Sequence, residues 1–256
     1  MEIKLFNAKK TKEDLIKWIY KWYCKNSPDH NHRIVIGMSG GKDSTIMLAL
    51  LCEALGNTKI IPVMLPQGPN YSFKIPFEIC RHFNIIPYKY DIDNAVAAIY
   101  GDMISDFENT EFPGPNNQTA SNLPARIRMA YLYAVASCVN GFVVNNSNLS
   151  EDYIGWTTKG GSAVGDFAPF NKLTCTEVIK IGEALGLPDK WIKIPPADGL
   201  QAKTDEEAFG FTYKELDSVI RKEYHWVHPS SSDKIKRMHK NSRHKFRPMP
   251  SFPYKE

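Results

Sequence analysis

The stretch that most constrains this chain is Ser39-Gly40-Gly41-Lys42-Asp43-Ser44. An apolar run, Ile34-Val35-Ile36, precedes it, with Gly37 and Met38 between; an apolar helical pattern from Thr45 to Leu55, closed by Gly56, follows it. The order is strand, glycine turn, helix. Two adjacent glycines let the backbone approach a ligand closely and take positive φ without a Cβ clash. A helix that starts at Asp43 or Ser44 offers unpaired N–H groups and the positive end of its dipole. Such a place binds anions, phosphate above all. Asp43 is placed to hold a magnesium ion against phosphates, and Ser39 and Ser44 add hydroxyl donors. The spacing is neither the Walker loop G-x-x-x-x-G-K-[ST] nor the dinucleotide fingerprint G-x-G-x-x-G.

The remaining pattern alternates strands with helices, which implies βαβ units and a parallel sheet. Thr11 is expected to cap a first helix with Asp14 at its N3 position, and Leu15, Ile16, Trp18, Ile19, Trp22 and Tyr23 recur at helical spacing as core or interface. Lys59 to Leu65 reads as a second strand, with Pro62 arguing against a central place in the sheet. A turn at Pro66-Gln67-Gly68-Pro69-Asn70 leads to a helix ending near Phe83, a strand from about Ile85 to Tyr90, and a helix from Asp93. Thr110 to Ser121 reads as a polar surface loop. Asn122 is expected to cap a helix from Leu123 to Val139. Phe142-Val143-Val144 is a fourth strand, and Tyr153 to Asn171 is a long irregular segment of the kind that usually carries function. Helices follow at about Thr176 to Leu185 and Lys214 to Tyr224, with a loop opening at Pro195-Pro196 between them. The tail from Lys234 to Arg247 is basic, either a solvated helix or an anion clamp. Ligands of parallel sheets bind beyond the carboxyl ends of the strands, where the glycine turn falls.

At 256 residues and 43% apolar, the chain is long enough for a substantial core and reads as one domain over residues 1–256. A formal charge of +4 is too mild for a generic nucleic-acid binder. Five widely spaced cysteines without a C-x-x-C fit a reducing, cytoplasmic setting. No signal peptide or bilayer-length apolar run is present, so no membrane partner is expected.

The glycine turn resembles the S-G-G-x-D-S pyrophosphate loop of the N-type ATP pyrophosphatases. Other stretches extend the likeness in order: Asn122 to Met129, Ser150-Glu151-Asp152-Tyr153, Thr158-Lys159-Gly160-Gly161, Gly165 to Pro169, Lys203 to Glu207, Gly210 to Tyr213 and His244-Lys245. Together they resemble the ammonia-dependent NAD synthetases, over about residues 30 to 247. The resemblance implies a Rossmann-like α/β fold of the adenine nucleotide alpha hydrolase kind, a parallel sheet flanked by helices. It implies ATP as co-substrate, Mg2+, deamido-NAD and ammonia as small-molecule partners, and a homodimer. On this likeness Gly37, Met38, Ser39, Gly40, Gly41, Lys42, Asp43 and Ser44, with Asn146 and Cys175, surround ATP; Asp43 and Glu151 are the catalytic, metal-holding pair; Arg126, Lys159, Asp166, His244 and Lys245 contact deamido-NAD.

The chain departs from the family pattern on the ATP side. Asn146 stands where threonine is usual, Cys175 where a lysine reaches the phosphates, and Pro196 or Ala197 where Ser or Thr is usual. Met64 and Asn70 replace an arginine and a glutamine near the adenine. Lys172, Lys180 or a basic residue of the tail is expected to supply the charge missing at Cys175. Two alternatives accompany the synthetase reading: another ATP pyrophosphatase such as a tRNA thiolase or GMP synthetase, and a synthetase-like dinucleotide binder with poor turnover.

Overall fold

The computed structural model of the chain describes residues 6–68, 73–109, 111, 113–194 and 204–254. Four parallel strands form one sheet: β1 (Arg33–Gly37), β2 (Ile60–Met64), β3 (Tyr88–Lys89) and β4 (Gly141–Val143), in the order β3-β2-β1-β4. The chain moves outward from β1 through β2 to β3, then returns to the other side of β1 as β4. Strand order therefore reverses between β1 and β4, and a cleft opens at their carboxyl ends.

Helices cover both faces, as a parallel sheet requires. On one face α1 (Ala8–Asn26), α2 (Lys42–Leu55), α7 (Cys175–Ala184) and α8 (Asp189–Ile192) bury Ile19, Ile46, Leu50, Val178, Ile181 and Trp191 against Ile34 and Ile36. On the other, α4 (Asp93–Asn109) and α5 (Asn117–Cys138) pack Val96, Leu132 and Ala136 on Val35, Val63 and Val143. Alternate residues of β1 thus serve opposite cores, the period of two that a strand imposes. A third cluster lies among α6 (Leu149–Ile154), α7, α9 (Asp205–Phe209), α10 (Tyr213–Arg221) and α11 (Pro229–Ser242), and includes Ile154, Cys175, Phe209, Leu216 and Ile235. Helix α7 is the wall shared by the first and third clusters. The remaining helix on the first face, α3 (Lys74–His82), adds Ile79 and Cys80.

Several boundaries differ from the sequence reading. Asn7, not Thr11, caps α1, accepting from Lys10 N at 3.0 Å. Pro62 sits in an internal strand: Val63 offers its carbonyl to Met38 N on the β1 side, so Pro62 faces the β3 side. There β3 begins only opposite Val63, and the missing N–H leaves no ladder bond unmade. The third strand is confined to Tyr88–Lys89, with Tyr90 N still bonding Met64 O. Helix α5 begins at Asn117, because Asn116 and Thr119 form a reciprocal capping box that Asn122 cannot match. Asn122 lies inside the helix and accepts from Thr158 Oγ1 at 2.8 Å. Pro69, Asn70, Thr110, the Pro195-Pro196 loop, Ala197 and Lys203 lie outside the described residues. Among the described residues no helix is long and apolar enough to cross a membrane.

Candidate active site

The glycine turn joins β1 to α2 at the reversal point of the sheet. Gly40 takes φ +83°, and a Cβ there would meet Pro76 Cδ of α3 at 2.9 Å, so glycine is required twice over. Gly41 has φ −78° and serves differently, as the cap of α2 without a side-chain bond to its first turn. The helix accordingly presents first-turn amides that no capping side chain occupies, a ready anion site. The hydroxyls beside them are ordered: Ser39 and Ser44 Oγ lie 3.2 Å apart, and Ser44 and Thr45 donate to Gly41 O at 3.0 and 2.8 Å. Across the cleft Asn146 Nδ2 donates to Gly37 O at 2.9 Å, tying the end of β4 to the end of β1.

Two carboxylates converge beside the turn. Asn148 caps α6, accepting from Ser150 N and Glu151 N with its Oδ1. Its Nδ2 donates to Asp43 Oδ1 at 3.1 Å and to Glu151 Oε1 at 3.0 Å. One amide therefore aims both acids at the same place. Two carboxylates suit a magnesium ion that completes its shell with phosphate oxygens and water, and no larger His/Cys/Asp/Glu cluster able to cage a metal occurs among the described residues. Asn148 escaped the sequence reading; an asparagine three residues before a glutamate at a helix start was its signal.

The electrostatics of this corner are set by burial. Lys42 is 4% exposed and its Nζ bonds Asp43 Oδ2 at 2.7 Å. Burial alone would depress its pKa, but the adjoining Asp43 carboxylate raises it on balance, so the ammonium stays charged. Burial and the Asp43 charge push the Glu151 carboxyl up to about 8, against the pull of Lys42. Burial pushes the Cys175 thiol well above its ordinary value, leaving it neutral. Lys42 thus lies beside Cys175, while Lys172 and Lys180 are exposed. Beneath them Tyr213 donates to Asp205 Oδ2 at 3.0 Å, and both residues are buried.

A second group gathers basic side chains around the segment after α6. Lys245, in the short turn that follows α11, donates to Gly155 O at 2.8 Å and Thr157 O at 2.9 Å. Burial, and then the Arg126 charge, lower its pKa. Arg126 Nε donates to Lys159 O at 3.2 Å. Arg126 and Lys245 thus bring two positive charges to the same backbone segment, an arrangement suited to an anion. The tail packs on α6 through His239, which stacks on Tyr153 at 3.8 Å, while Lys236, Arg237, Lys240 and Arg243 stay exposed. His244 is exposed and bonds only its own turn, at Asn241 O. Asp166 stands apart as well, accepting from Val143 N at 2.6 Å and Tyr133 OH at 3.4 Å, which fixes the end of β4.

Comparison with known proteins places the chain in a family. The NAD synthase family model matches residues 13–250. An ammonia-dependent NAD+ synthetase of Finegoldia magna is 31% identical over 250 residues, 97% of this chain and 98% of that protein. Among solved structures, an NMN synthetase from Francisella tularensis superimposes with TM-score 0.85 at 28% identity, over 98% of this chain and 100% of that one. An NH3-dependent NAD synthetase from Campylobacter jejuni has the same fold, with TM-score 0.74 at 24% identity over 97% and 100% of the two chains. The chain belongs to the NAD synthase family, and its activity is the ammonia-dependent, ATP-consuming ligation that makes NAD.

Proposed function

We propose that ATP lies with its phosphates on the first turn of α2, between the Gly37–Ser44 stretch and Asn146 and Cys175, and that Asp43 and Glu151 hold Mg2+ against them. A carboxylate oxygen of the pyridine nucleotide attacks the α-phosphorus, the bond to the bridging oxygen breaks, and pyrophosphate leaves. Ammonia then adds to the acyl carbon of the adenylate, and AMP leaves with the former carboxylate oxygen and a proton is released. The amides of α2 and the hydroxyls of Ser39 and Ser44 take up charge on the phosphate oxygens. The bound ion adds a Lewis acid at the same oxygens. Arg126 and Lys245 hold the phosphates of deamido-NAD, with Lys159 and His244 at the rim and Asp166 shaping the floor. The same proposal includes a homodimer. The observation that carries it is the Asn148 amide, which aims Asp43 and Glu151 together beside an open helix N-terminus.

A second reading concerns the size of the pyridine nucleotide. The overlay on the Francisella NMN synthetase, at TM-score 0.85, favours a substrate with one phosphate and no adenosine half, nicotinate mononucleotide. One assay separates the readings. The protein is supplied with ATP, Mg2+, ammonium and either deamido-NAD or nicotinate mononucleotide, and AMP, pyrophosphate and the amide product are measured. The first reading expects NAD at the higher kcat/KM; the second expects NMN. Release of pyrophosphate with neither would reject both.

The raised Glu151 pKa gives the site a pH signature. In the folded chain this carboxyl holds its proton to about pH 8, against a usual value of 4.5. Its contribution to stability is complete below the unfolded value and is lost as pH rises through about 8. Metal binding requires the ionised form and runs the other way. Mg2+ affinity should therefore climb from pH 6.5 to 8.5, by up to about tenfold per unit below 8, and then level off. Calorimetric titration of Mg2+ at three pH values checks this; an affinity flat across the range contradicts it.

A further inference from the structure

Lys42 is an unusual place for a buried ammonium. It opens a helix, where the dipole disfavours a cation. It is almost wholly removed from water, and a desolvated ion pair is a poor source of stability. Asp43 is its one hydrogen-bond partner among the described residues, so two of its three N–H donors find no acceptor there. The ring of Tyr213 lies 5.5 Å from Nζ on another side. Donors left over on a buried ammonium, next to uncapped helix amides and a neutral thiol, are provision for an anionic ligand.

We propose that Lys42 is the phosphate-contacting cation of this site and that it shares Asp43 with the divalent ion. Its ammonium gives a charge-assisted hydrogen bond to a phosphate oxygen of ATP on the α2 turn. Asp43 Oδ2, which it holds at 2.7 Å, is also an oxygen through which Asp43 can bind a divalent ion. Lys42 therefore plays two opposed parts: it attracts nucleotide and competes with free metal. The buried cation of this corner thus stands at the start of α2, beside a buried, uncharged thiol at the start of α7. This inference rests on the reading of the α2 turn as a nucleotide site.

The two parts predict shifts of opposite sign, which a merely structural ion pair would not give. Lys42→Met keeps the volume and removes the charge. Calorimetry should show it binding ATP about tenfold or more weakly, the scale of one charge-assisted bond. Without nucleotide it should bind Mg2+ several-fold more tightly than the wild type, because one cation has left the carboxylates. Adding Cys175→Lys to Lys42→Met should restore most of the ATP affinity, since position 175 lies beside Lys42. If Lys42→Met proves too unstable to titrate, Lys42→Arg and Lys42→Gln give the same test: ATP affinity near wild type in Lys42→Arg and about tenfold lower in Lys42→Gln supports the role, and equal affinity in the two rejects it. Wild-type protein that binds no ATP with Mg2+ would defeat the reading of the turn itself. Wild type that binds, beside a Lys42→Met that binds both ligands equally well, would defeat only the role given to Lys42.

Discussion

Asp43→Asn should lower turnover by at least about a hundredfold, the scale of losing one strong electrostatic stabiliser. The substitution keeps the shape and the bond from Asn148 Nδ2 to one oxygen, but removes the negative charge that pairs with Lys42 and that the proposed metal site needs. Affinity for the pyridine nucleotide should change less than about threefold, because Arg126 and Lys245 lie on the other group of the site and make no bond to Asp43. The variant also leaves Lys42 buried without its anion, so it should melt earlier; breaking a buried pair from one side costs about 3–5 kcal/mol. Turnover must therefore be measured well below the melting range of the variant. Near-normal turnover at limiting Mg2+ would remove Asp43 from the metal site.

Gly155→Ala should be among the most damaging single changes to the fold. Gly155 ends α6 at φ +73°, and a Cβ there would come within 2.1 Å of Ser242 Cβ at the end of α11. The left-handed backbone alone disfavours alanine by roughly 1–2 kcal/mol, and forcing α11 away adds about 1–3 kcal/mol. A loss of about 3 kcal/mol corresponds to a fall in Tm on the order of 10 °C for a chain this long. The effect should reach the chemistry too. Lys245 follows directly after α11 and holds the Gly155 carbonyl, so displacing α11 moves the clamp. The KM for the pyridine nucleotide should rise more than that for ATP. A variant with wild-type Tm and KM would mean that α11 does not need this close approach.

These two positions also show what a sequence can and cannot announce. The β1–turn–α2 unit was legible because strand, glycines and helix are contiguous and each follows local rules. The pairing of Asp43 with Glu151 was legible only through resemblance, since their shared partner Asn148 lies 105 positions from Asp43 and nothing local links them. Gly155 looked like one glycine among several in an irregular segment; its demand comes from Ser242, on a helix that packs there only in three dimensions. Boundaries failed where two caps competed, as at Asn116 and Asn122, and where a strand was cut short by its partner's length, as at β3. Proximity in sequence pointed to Lys172, Lys180 or the tail as the charge near Cys175, whereas packing also sets Lys42 beside it, from the start of another helix.

The two proposed anion sites belong to different packing units. The α2 turn is built on the sheet core, while Lys245 and the carbonyls it holds belong to the helical cluster around α6 and α11. On the proposed assignment, substrates that occupy both sites act as a non-covalent cross-link between those units. A ligand at a hundred times its dissociation constant adds about 2.7 kcal/mol to the stability of whatever it binds. Here that gain falls on the junction itself, so the resistance of the helical cluster to unfolding becomes a function of nucleotide concentration. A chain starved of substrate is, in this sense, a looser polymer than the same chain at work.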